Sequence, residues 1–196
     1  MSSFLQATTF ALGACAGAAL LLWVQRRKQI PRGTPTPAAP VDTAGVLAAG
    51  SVAVIIGCAS GIGRAVALRC ASLNMKLVLA DVVAVSRVRD EALAAGAADV
   101  VMVECDCRRE EDVHCVKREA FNKFGVVHFL MNNAAIQTNG KCGPCEHPDR
   151  WKRILDTNLW GVYFGGLAFA PTMAKQTCPC VIVNTGSKQG ITCPPG

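Results

Sequence analysis

The chain has 196 residues, 51% of them hydrophobic, which is enough for one folded domain with a core of its own. Its formal net charge of +6 is uneven, because four of the 20 basic residues lie between positions 26 and 32, ahead of the first acidic residue, Asp42. The remaining 16 basic residues stand against 14 acidic ones, so the rest of the chain is nearly neutral and a basic stripe for nucleic acid is excluded. Eleven cysteines, an odd number scattered through apolar segments, argue against a disulfide framework and favour a reducing compartment.

An uncharged apolar run occupies residues 4–24, and Arg26, Arg27 and Lys28 follow it closely. The run is long enough to cross a bilayer as a helix. A cleaved signal peptide would carry its positive charge before the apolar core, and a transit peptide would spread arginines through an amphipathic helix. An uncleaved transmembrane anchor fits the pattern better than either, with the basic residues keeping the following domain in the cytosol. Residues 25–50, interrupted by four prolines, predict a linker.

From Ser51 onward, apolar β-branched segments alternate with segments of helical periodicity. Strands are predicted near residues 52–57, 76–81, 99–105, 127–131 and 180–184. Helices are predicted near residues 61–73, 86–95, 109–124 and 149–175. The third helix has one apolar face, made of Val113, Val116, Ala120, Phe121 and Phe124. This alternation predicts an α/β fold, a doubly wound, Rossmann-like parallel sheet over residues 51–196.

The glycines that follow the first strand carry most of the functional information. The strand pattern ends in Gly57, Gly61 and Gly63, and a helix pattern begins at once, a layout typical of a turn that brings a phosphate to a helix N-terminus. A dinucleotide site also needs an acid at the end of the second strand to bind the adenosine ribose, and Asp81 stands there. Because a carboxylate repels a 2′-phosphate and Ser60 offers no compensating base, these residues predict NAD rather than NADP.

Four further motifs follow the glycine turn in chain order: Asp106-Cys107, Asn132-Asn133-Ala134-Ala135, Asn158 on the long predicted helix, and Ser187 after the fifth predicted strand. Together with Gly57-x-x-x-Gly61-Ile62-Gly63, the series resembles the short-chain dehydrogenase/reductase family over about residues 51–196. The sequence departs from the family pattern at Ile56, where the family usually has Thr, and at Ala135, where it has Gly. The resemblance implies alcohol–ketone oxidoreduction with a nicotinamide cofactor.

The resemblance also implies a role for each matching residue. It assigns cofactor binding to Gly57, Ser60, Gly61, Ile62, Gly63, Asp81, Asp106, Cys107, Asn133 and Ala134, with Asp106 in contact with the adenine. It makes Ser187 a ligand of the carbonyl oxygen and Asn158 the support of a water relay, and it implies no metal. The expected substrate is a small alcohol or ketone, a lipid-like one in view of the apolar N-terminal run. The full-length family member is expected to form a homo-oligomer.

The acid–base pair of the family, Tyr-x-x-x-Lys, has no match in the chain. The single tyrosine, Tyr163, has Leu167 where the pattern needs Lys, and its glycine-rich context predicts a packing residue on a core helix. In the family the Tyr follows the Ser at a distance that falls just past Gly196. We therefore expect a C-terminally truncated fragment, without turnover of its own, of a longer oxidoreductase. A complete but catalytically dead homologue is the alternative.

Two other functions remain open on the sequence alone. A non-catalytic nucleotide-binding or interaction module at a membrane is the main alternative to the oxidoreductase. Cys142-Gly-Pro-Cys145 matches the spacing of a thiol–disulfide redox motif, which would make the chain a thiol oxidoreductase. That chemistry needs the first cysteine at a helix N-terminus, whereas this pair lies in a predicted loop.

Overall fold

The computed structural model describes residues 45–137 and 147–187, in which five strands form one parallel sheet in the order β3-β2-β1-β4-β5. The strands are β1 (Val52–Ile56), β2 (Lys76–Asp81), β3 (Asp99–Glu104), β4 (Phe129–Asn132) and β5 (Val181–Asn184). The helices are α1 (Gly61–Ser72), α2 (Ser86–Ala94), α3 (Glu110–Phe124), α4 (Pro148–Leu155) and α5 (Gly161–Met173). A π-helical turn, Asp156–Trp160, joins α4 to α5.

The strand order reverses direction at β1. From β1 the chain moves outward through β2 and β3, and it then returns to pair β4 with the other side of β1, which places Leu130 beside Val54. The crevice between the carboxyl ends of β1 and β4 is therefore a topological switch point, the place where open α/β sheets bind their ligands. The predicted doubly wound, Rossmann-like parallel sheet is confirmed.

Helices cover both faces of this sheet. Ala53 and Ile55 of β1 pack in one buried cluster with α1 and α2, whereas Val54 and Ile56 pack in a second cluster with α3 and α5. The division follows from the alternation of side chains along a strand. All five residues of β1 are buried, as expected for a central parallel strand covered on both faces.

The amphipathic pattern of the third helix is confirmed in α3. Its inward face is made of Val113, Val116, Ala120, Phe121 and Phe124. The helix ends at Gly125, which has a φ of 75° and donates its N–H to the carbonyl of Phe121. A left-handed glycine of this kind commonly closes a helix, because it satisfies a terminal carbonyl without the steric cost of a Cβ.

The structure differs from the sequence prediction at the last helix and at the start of the domain. The single helix predicted over residues 149–175 contains the π turn, which accommodates one extra residue that a 3.6-residue period does not reveal. At the other end, Val46 is only 1% exposed and Ser51 donates its hydroxyl to the carbonyl of Gly45. The packed domain thus includes the end of the predicted linker.

Several predictions fall on residues outside the described ranges. They are the anchor at residues 4–24, most of the linker at residues 25–50, and the Cys142–Cys145 pair. Within residues 45–137 and 147–187, none of the helices combines the length and the apolar composition that crossing a membrane requires.

Candidate functional site

The turn after β1 brings two backbone segments into direct contact. Gly57 has a φ of 90°, and a Cβ there would stand 2.3 Å from the backbone nitrogen of Ala134 in the loop after β4. A Cβ on Gly63 would stand 2.0 Å from the carbonyl oxygen of Gly57. Because α1 begins at Gly61, the N–H groups of its first turn have no intrahelical acceptors and lie at the positive end of the helix dipole. The turn therefore combines close backbone approach with unpaired donors, the combination that suits a phosphate.

Asp81 lies at the end of β2 and holds this turn in place. Its Oδ2 accepts a hydrogen bond from the N–H of Ala59 at 2.8 Å, and its Oδ1 accepts one from the N–H of Val83 at 3.3 Å. A carboxylate has about four acceptor positions, so these two bonds leave others available. The side chain can therefore accept hydrogen bonds from the hydroxyls of a ribose while it keeps its contact with the turn.

A cleft of about 350 Å³ opens at the switch point. Its walls are the loops that follow β1 to β4, together with Arg153 and Thr157 near the end of α4. Six of the predicted cofactor residues line it: Gly57, Ser60, Asp81, Asp106, Cys107 and Ala134. The volume falls within the range of small-molecule sites, about 300–1,000 Å³.

The other four predicted cofactor residues shape the cleft without lining it. Gly61, Ile62 and Gly63 form the first turn of α1, where Ile62 is 60% exposed. Asn133 donates its Nδ2–H to the carbonyl of Gly57 at 2.8 Å, and its Oδ1 accepts the hydroxyl of Thr185 at 2.9 Å. Asn133 thus ties the glycine turn to the carboxyl end of β5.

The two predicted catalytic residues lie on different elements. Asn158 belongs to the π turn, and its side-chain amide makes two hydrogen bonds of 2.9 Å with the backbone of Ile136, one to the N–H and one to the carbonyl. Ser187 follows β5 and is exposed. Neither residue is among those that line the cleft. Through its two hydrogen bonds to Ile136, Asn158 instead positions the loop after β4. It does so from a π-helical turn, a feature that is frequent at functional sites.

Asp106, which follows β3, has its carboxylate enclosed by Arg108. The backbone N–H and the Nε–H of Arg108 donate to Oδ1 at 3.0 and 2.8 Å, and Nη2 donates to Oδ2. The side chain of Asp106 is 20% exposed. The hydrogen bonds from the Arg108 guanidinium hold the pKa of Asp106 below its ordinary value, which keeps the carboxylate ionised.

Two buried cysteines form the apolar part of the same wall. Burial raises the pKa of Cys107 to about 11 and that of Cys105 to about 12, so both thiols stay protonated at neutral pH. The Sγ of Cys107 lies 4.0 Å from the carbonyl oxygen of Thr157. A Cβ on Gly161 would stand 2.8 Å from the same sulfur, which is why α5 can approach the wall only at a glycine.

Sequence reasoning missed several residues of this cleft. Val82 and Val83 lie on its rim beside Asp81 and are 57% and 56% exposed. Arg108 opens a charged run typical of a solvated helix start, and only its spacing of two residues from Asp106 could have indicated the ion pair. Arg153 also lines the cleft, and no signal in the sequence distinguishes it from the other basic residues of α4.

The prediction that Tyr163 packs in the core is wrong. Its side chain is 53% exposed and meets the ring of Trp160 edge-on, with 5.6 Å between the ring centroids. Gly161 and Gly165 occupy the inward face of α5 instead, because the helix lies too close to the sheet there for a larger side chain.

Comparison with known proteins identifies the family. Residues 51–195 match the family described as short chain dehydrogenase. The putative oxidoreductase SadH of Mycobacterium tuberculosis is 38% identical over 148 residues, which are 75% of this chain and 53% of that protein. Epidermal retinol dehydrogenase 2 of Mus musculus is 37% identical over 127 residues, which are 64% of this chain and 41% of that protein.

A solved structure supports the same assignment. The crystal structure of a short-chain dehydrogenase/reductase from Burkholderia phymatum, in complex with NAD, matches with a TM-score of 0.70 at 42% identity, covering 75% of this chain and 52% of that chain. The chain belongs to the short-chain dehydrogenase/reductase family, a family of oxidoreductases. It spans about half the length of the curated relatives it matches.

Proposed function

We propose that this chain forms the NAD-binding part of an alcohol–ketone oxidoreductase of the short-chain type. The observation that carries the proposal is the carboxylate of Asp81 beside the glycine turn from Gly57 to Gly63, in one cleft at the switch point. A ribose needs an acceptor for its hydroxyls and a pyrophosphate needs unpaired N–H donors, and a dinucleotide presents the two groups side by side. The NAD complex of the Burkholderia phymatum relative supports the choice of cofactor.

The same carboxylate favours NAD over NADP. Val82 and Val83 follow Asp81 along the rim and offer no positive charge to a 2′-phosphate. Repulsion between two unit charges about 4 Å apart amounts to about 1 kcal/mol in water and about 4 kcal/mol at an effective dielectric constant of about 20. NADP is therefore expected to bind more weakly than NAD, by about fivefold to about 700-fold.

In this proposal the residues of the chain bind and orient. NAD supplies the hydride acceptor or donor when it is bound. Asn158 uses both ends of its amide on Ile136, so it acts by holding the loop after β4 in place. Ser187, after β5, is assigned the hydrogen bond to the carbonyl oxygen of the substrate. Because the chain has no Tyr-x-x-x-Lys sequence, it is expected to bind NAD without turning a substrate over.

We also propose a single-pass membrane anchor at residues 4–24, a domain that faces the cytosol, and a lipid-like alcohol or ketone as substrate. The apolar run and the basic residues Arg26, Arg27 and Lys28 support the anchor. The name of the mouse relative, a retinol dehydrogenase, supports the substrate class. The full chain should stay with membranes after alkaline carbonate extraction, whereas a variant without residues 4–24 should be released. Release of both would contradict the anchor.

A homo-oligomer of the whole protein is supported by one exposed face. Five large apolar side chains on α4, the π turn and α5 are between 42% and 56% exposed: Leu155, Leu159, Trp160, Tyr163 and Leu167. A group of large apolar side chains exposed in this way is typical of an interaction surface. Sedimentation of the full-length protein should show a dimer or larger species, and a monomer would contradict the assignment.

The cofactor proposal is tested by the ratio of two affinities. Calorimetric titration of the full chain with NAD and NADP should show the expected preference for NAD, and Asp81→Ala should bring the two affinities close together. Asp90→Ala is the matched control, because Asp90 is an exposed acid on α2 that pairs with Arg89 and does not line the cleft. A wild-type chain that binds NADP as tightly as NAD would contradict the proposal, as would an unchanged ratio in Asp81→Ala.

A further inference from the structure

Two side chains connect the glycine turn to the segment that carries Ser187. Asn133, in the loop after β4, donates its Nδ2–H to the carbonyl of Gly57 at 2.8 Å. Its Oδ1 accepts the hydroxyl of Thr185, which directly follows β5, at 2.9 Å. Thr185 stands two residues before Ser187 in the chain. A continuous path of hydrogen bonds therefore runs from the glycine turn to the segment that carries the residue assigned to the substrate.

The chemistry of the three groups gives this path a single polarity. The carbonyl of Gly57 can only accept, so the amide of Asn133 directs its NH2 group to the turn and its oxygen to β5. The amide oxygen also can only accept, so the hydroxyl of Thr185 must donate. Valine in place of Thr185 would leave that oxygen without this donor, whereas serine would keep it.

Both ends of the path are held by further contacts. A Cβ on Gly63 would stand 2.7 Å from Nδ2 of Asn133, so the amide lies directly against the first turn of α1. At the other end, the N–H of Thr185 donates to the carbonyl of Asn132 at 3.0 Å. Gly186 has no side chain, so Thr185 is the nearest residue before Ser187 that can hold this segment through a side-chain bond.

We propose that Thr185 is a positioning residue, which couples the placement of Ser187 to the binding of the cofactor pyrophosphate at the glycine turn. The inference rests on the proposed NAD site. Phosphate oxygens accept the unpaired N–H groups at the start of α1, and this restricts the motion of the turn. Because the carbonyl of Gly57 is then a fixed partner for Asn133, the link to Thr185 opens less often and Ser187 moves less.

A merely structural role for Thr185 is a different account, and the same strand end provides a comparison for it. Asn132 donates its Nδ2–H to Oδ1 of Asn184 at 2.8 Å, which joins β4 and β5 one residue earlier. Among the described residues Oδ1 of Asn132 has no hydrogen-bond partner, so this pair does not lead on to the glycine turn. Loss of the Asn184 side chain should therefore weaken the strand end without cutting the path from the turn.

The test measures amide exchange at residues 185–187 of the full chain with and without saturating ADP, whose binding is followed by calorimetry. ADP carries the ribose and the two phosphates but no nicotinamide, and Ser187 does not line the cleft, so an effect there is transmitted through the protein. In the wild type, ADP should slow exchange at these N–H groups by about twofold to about twelvefold, the range that one neutral hydrogen bond supplies.

Three variants show whether the hydroxyl of Thr185 transmits the effect. Thr185→Val should abolish the slowing by ADP, and Thr185→Ser should keep it, because only serine retains the donor. Since coupling is reciprocal, Thr185→Val should also weaken ADP binding by the factor that the slowing loses, a change that a merely structural role would not produce. Asn184→Ala is the control: it should speed exchange without ADP and still show slowing when ADP is added.

The outcomes separate the inference from the proposed function. If ADP binds the wild type but leaves exchange at residues 185–187 unchanged, the inference is overturned while the NAD site stands. It is overturned as well if Thr185→Val keeps the slowing, or if Thr185→Ser or Asn184→Ala loses it. Binding of NAD without binding of ADP would show that the glycine turn does not hold the pyrophosphate, which also overturns the inference. If neither nucleotide binds saturably, the proposed function itself fails. Thr185→Ala, which also lacks the hydroxyl, replaces Thr185→Val if the latter does not fold.

Discussion

Replacement of Gly57 by alanine tests whether the glycine turn and the loop after β4 are in backbone contact. Alanine at a φ of 90° is strained, at a cost of about 1–2 kcal/mol. Its Cβ would also stand 2.3 Å from the nitrogen of Ala134, where ordinary contact begins at 3.4 Å, so one of the two segments must move. Overpacking of this kind costs about 1–3 kcal/mol. We expect Gly57→Ala to lower the free energy of unfolding by about 2–5 kcal/mol.

The control for this experiment is Gly50→Ala. Gly50 has a φ of 81°, but no atom lies within 4 Å of the Cβ position, so the substitution introduces the backbone strain without the collision. It should lower the free energy of unfolding by about 1–2 kcal/mol. The assay is urea unfolding of the full chain, followed by tryptophan fluorescence. A Gly57→Ala variant that loses no more stability than Gly50→Ala would refute the backbone contact, and with it the geometry of the turn.

Three further predictions concern other parts of the fold. Burial lowers the pKa of His128, and the neutral ring accepts the N–H of Val52 at its Nδ1. The stability that this neutral ring contributes should be lost as the pH falls below about 6.5, because the unfolded chain takes up the proton there while the folded chain does not. The free energy of unfolding should fall less between about pH 7.5 and about pH 5.5 in His128→Gln than in the wild type. An equal fall in the two proteins would contradict this role of His128. Gly166→Ala should raise the free energy of unfolding by up to about 1 kcal/mol, because the new Cβ meets open space. Gly165→Ala should lower it, because the new Cβ would stand 2.1 Å from the buried amide oxygen of Asn132. Equal effects of the two substitutions would contradict this packing of α5. Asn158→Ala should cost about 1–2 kcal/mol and speed amide exchange in the loop after β4, and unchanged exchange would show that the side chain does not hold that loop.

The sheet and the glycine turn could be predicted because their signals are local. Buried parallel strands are short β-branched runs, and the first one ends in Gly57, where the backbone needs a conformation that glycine alone adopts easily. Asp81 could be assigned to the cleft because the carboxyl ends of adjacent parallel strands share one edge of the sheet.

The remaining features depend on tertiary contacts that a local pattern does not contain. The helix α5 is apolar on all sides, so its periodicity does not show which side faces the core; close approach to Cys107 and Asn132 decides that Gly161 and Gly165 lie inside and Tyr163 outside. The π turn is one extra residue within a continuous helix, and the sequence does not mark it. The loops after β2 and β3 place valines and an arginine on the cleft, a placement that no spacing rule specifies.

Hydrogen–deuterium exchange of the full chain, with and without NAD, tests most directly whether the switch-point cleft is the cofactor site. NAD should slow exchange at the N–H groups of Gly61, Ile62 and Gly63, which have no intrahelical acceptors, and in the segment from Cys105 to Arg108. Exchange in α3, on the sheet face away from α1, should stay unchanged apart from its first turn. If saturating NAD leaves both the glycine turn and the 105–108 segment unprotected, the cleft is not the NAD site.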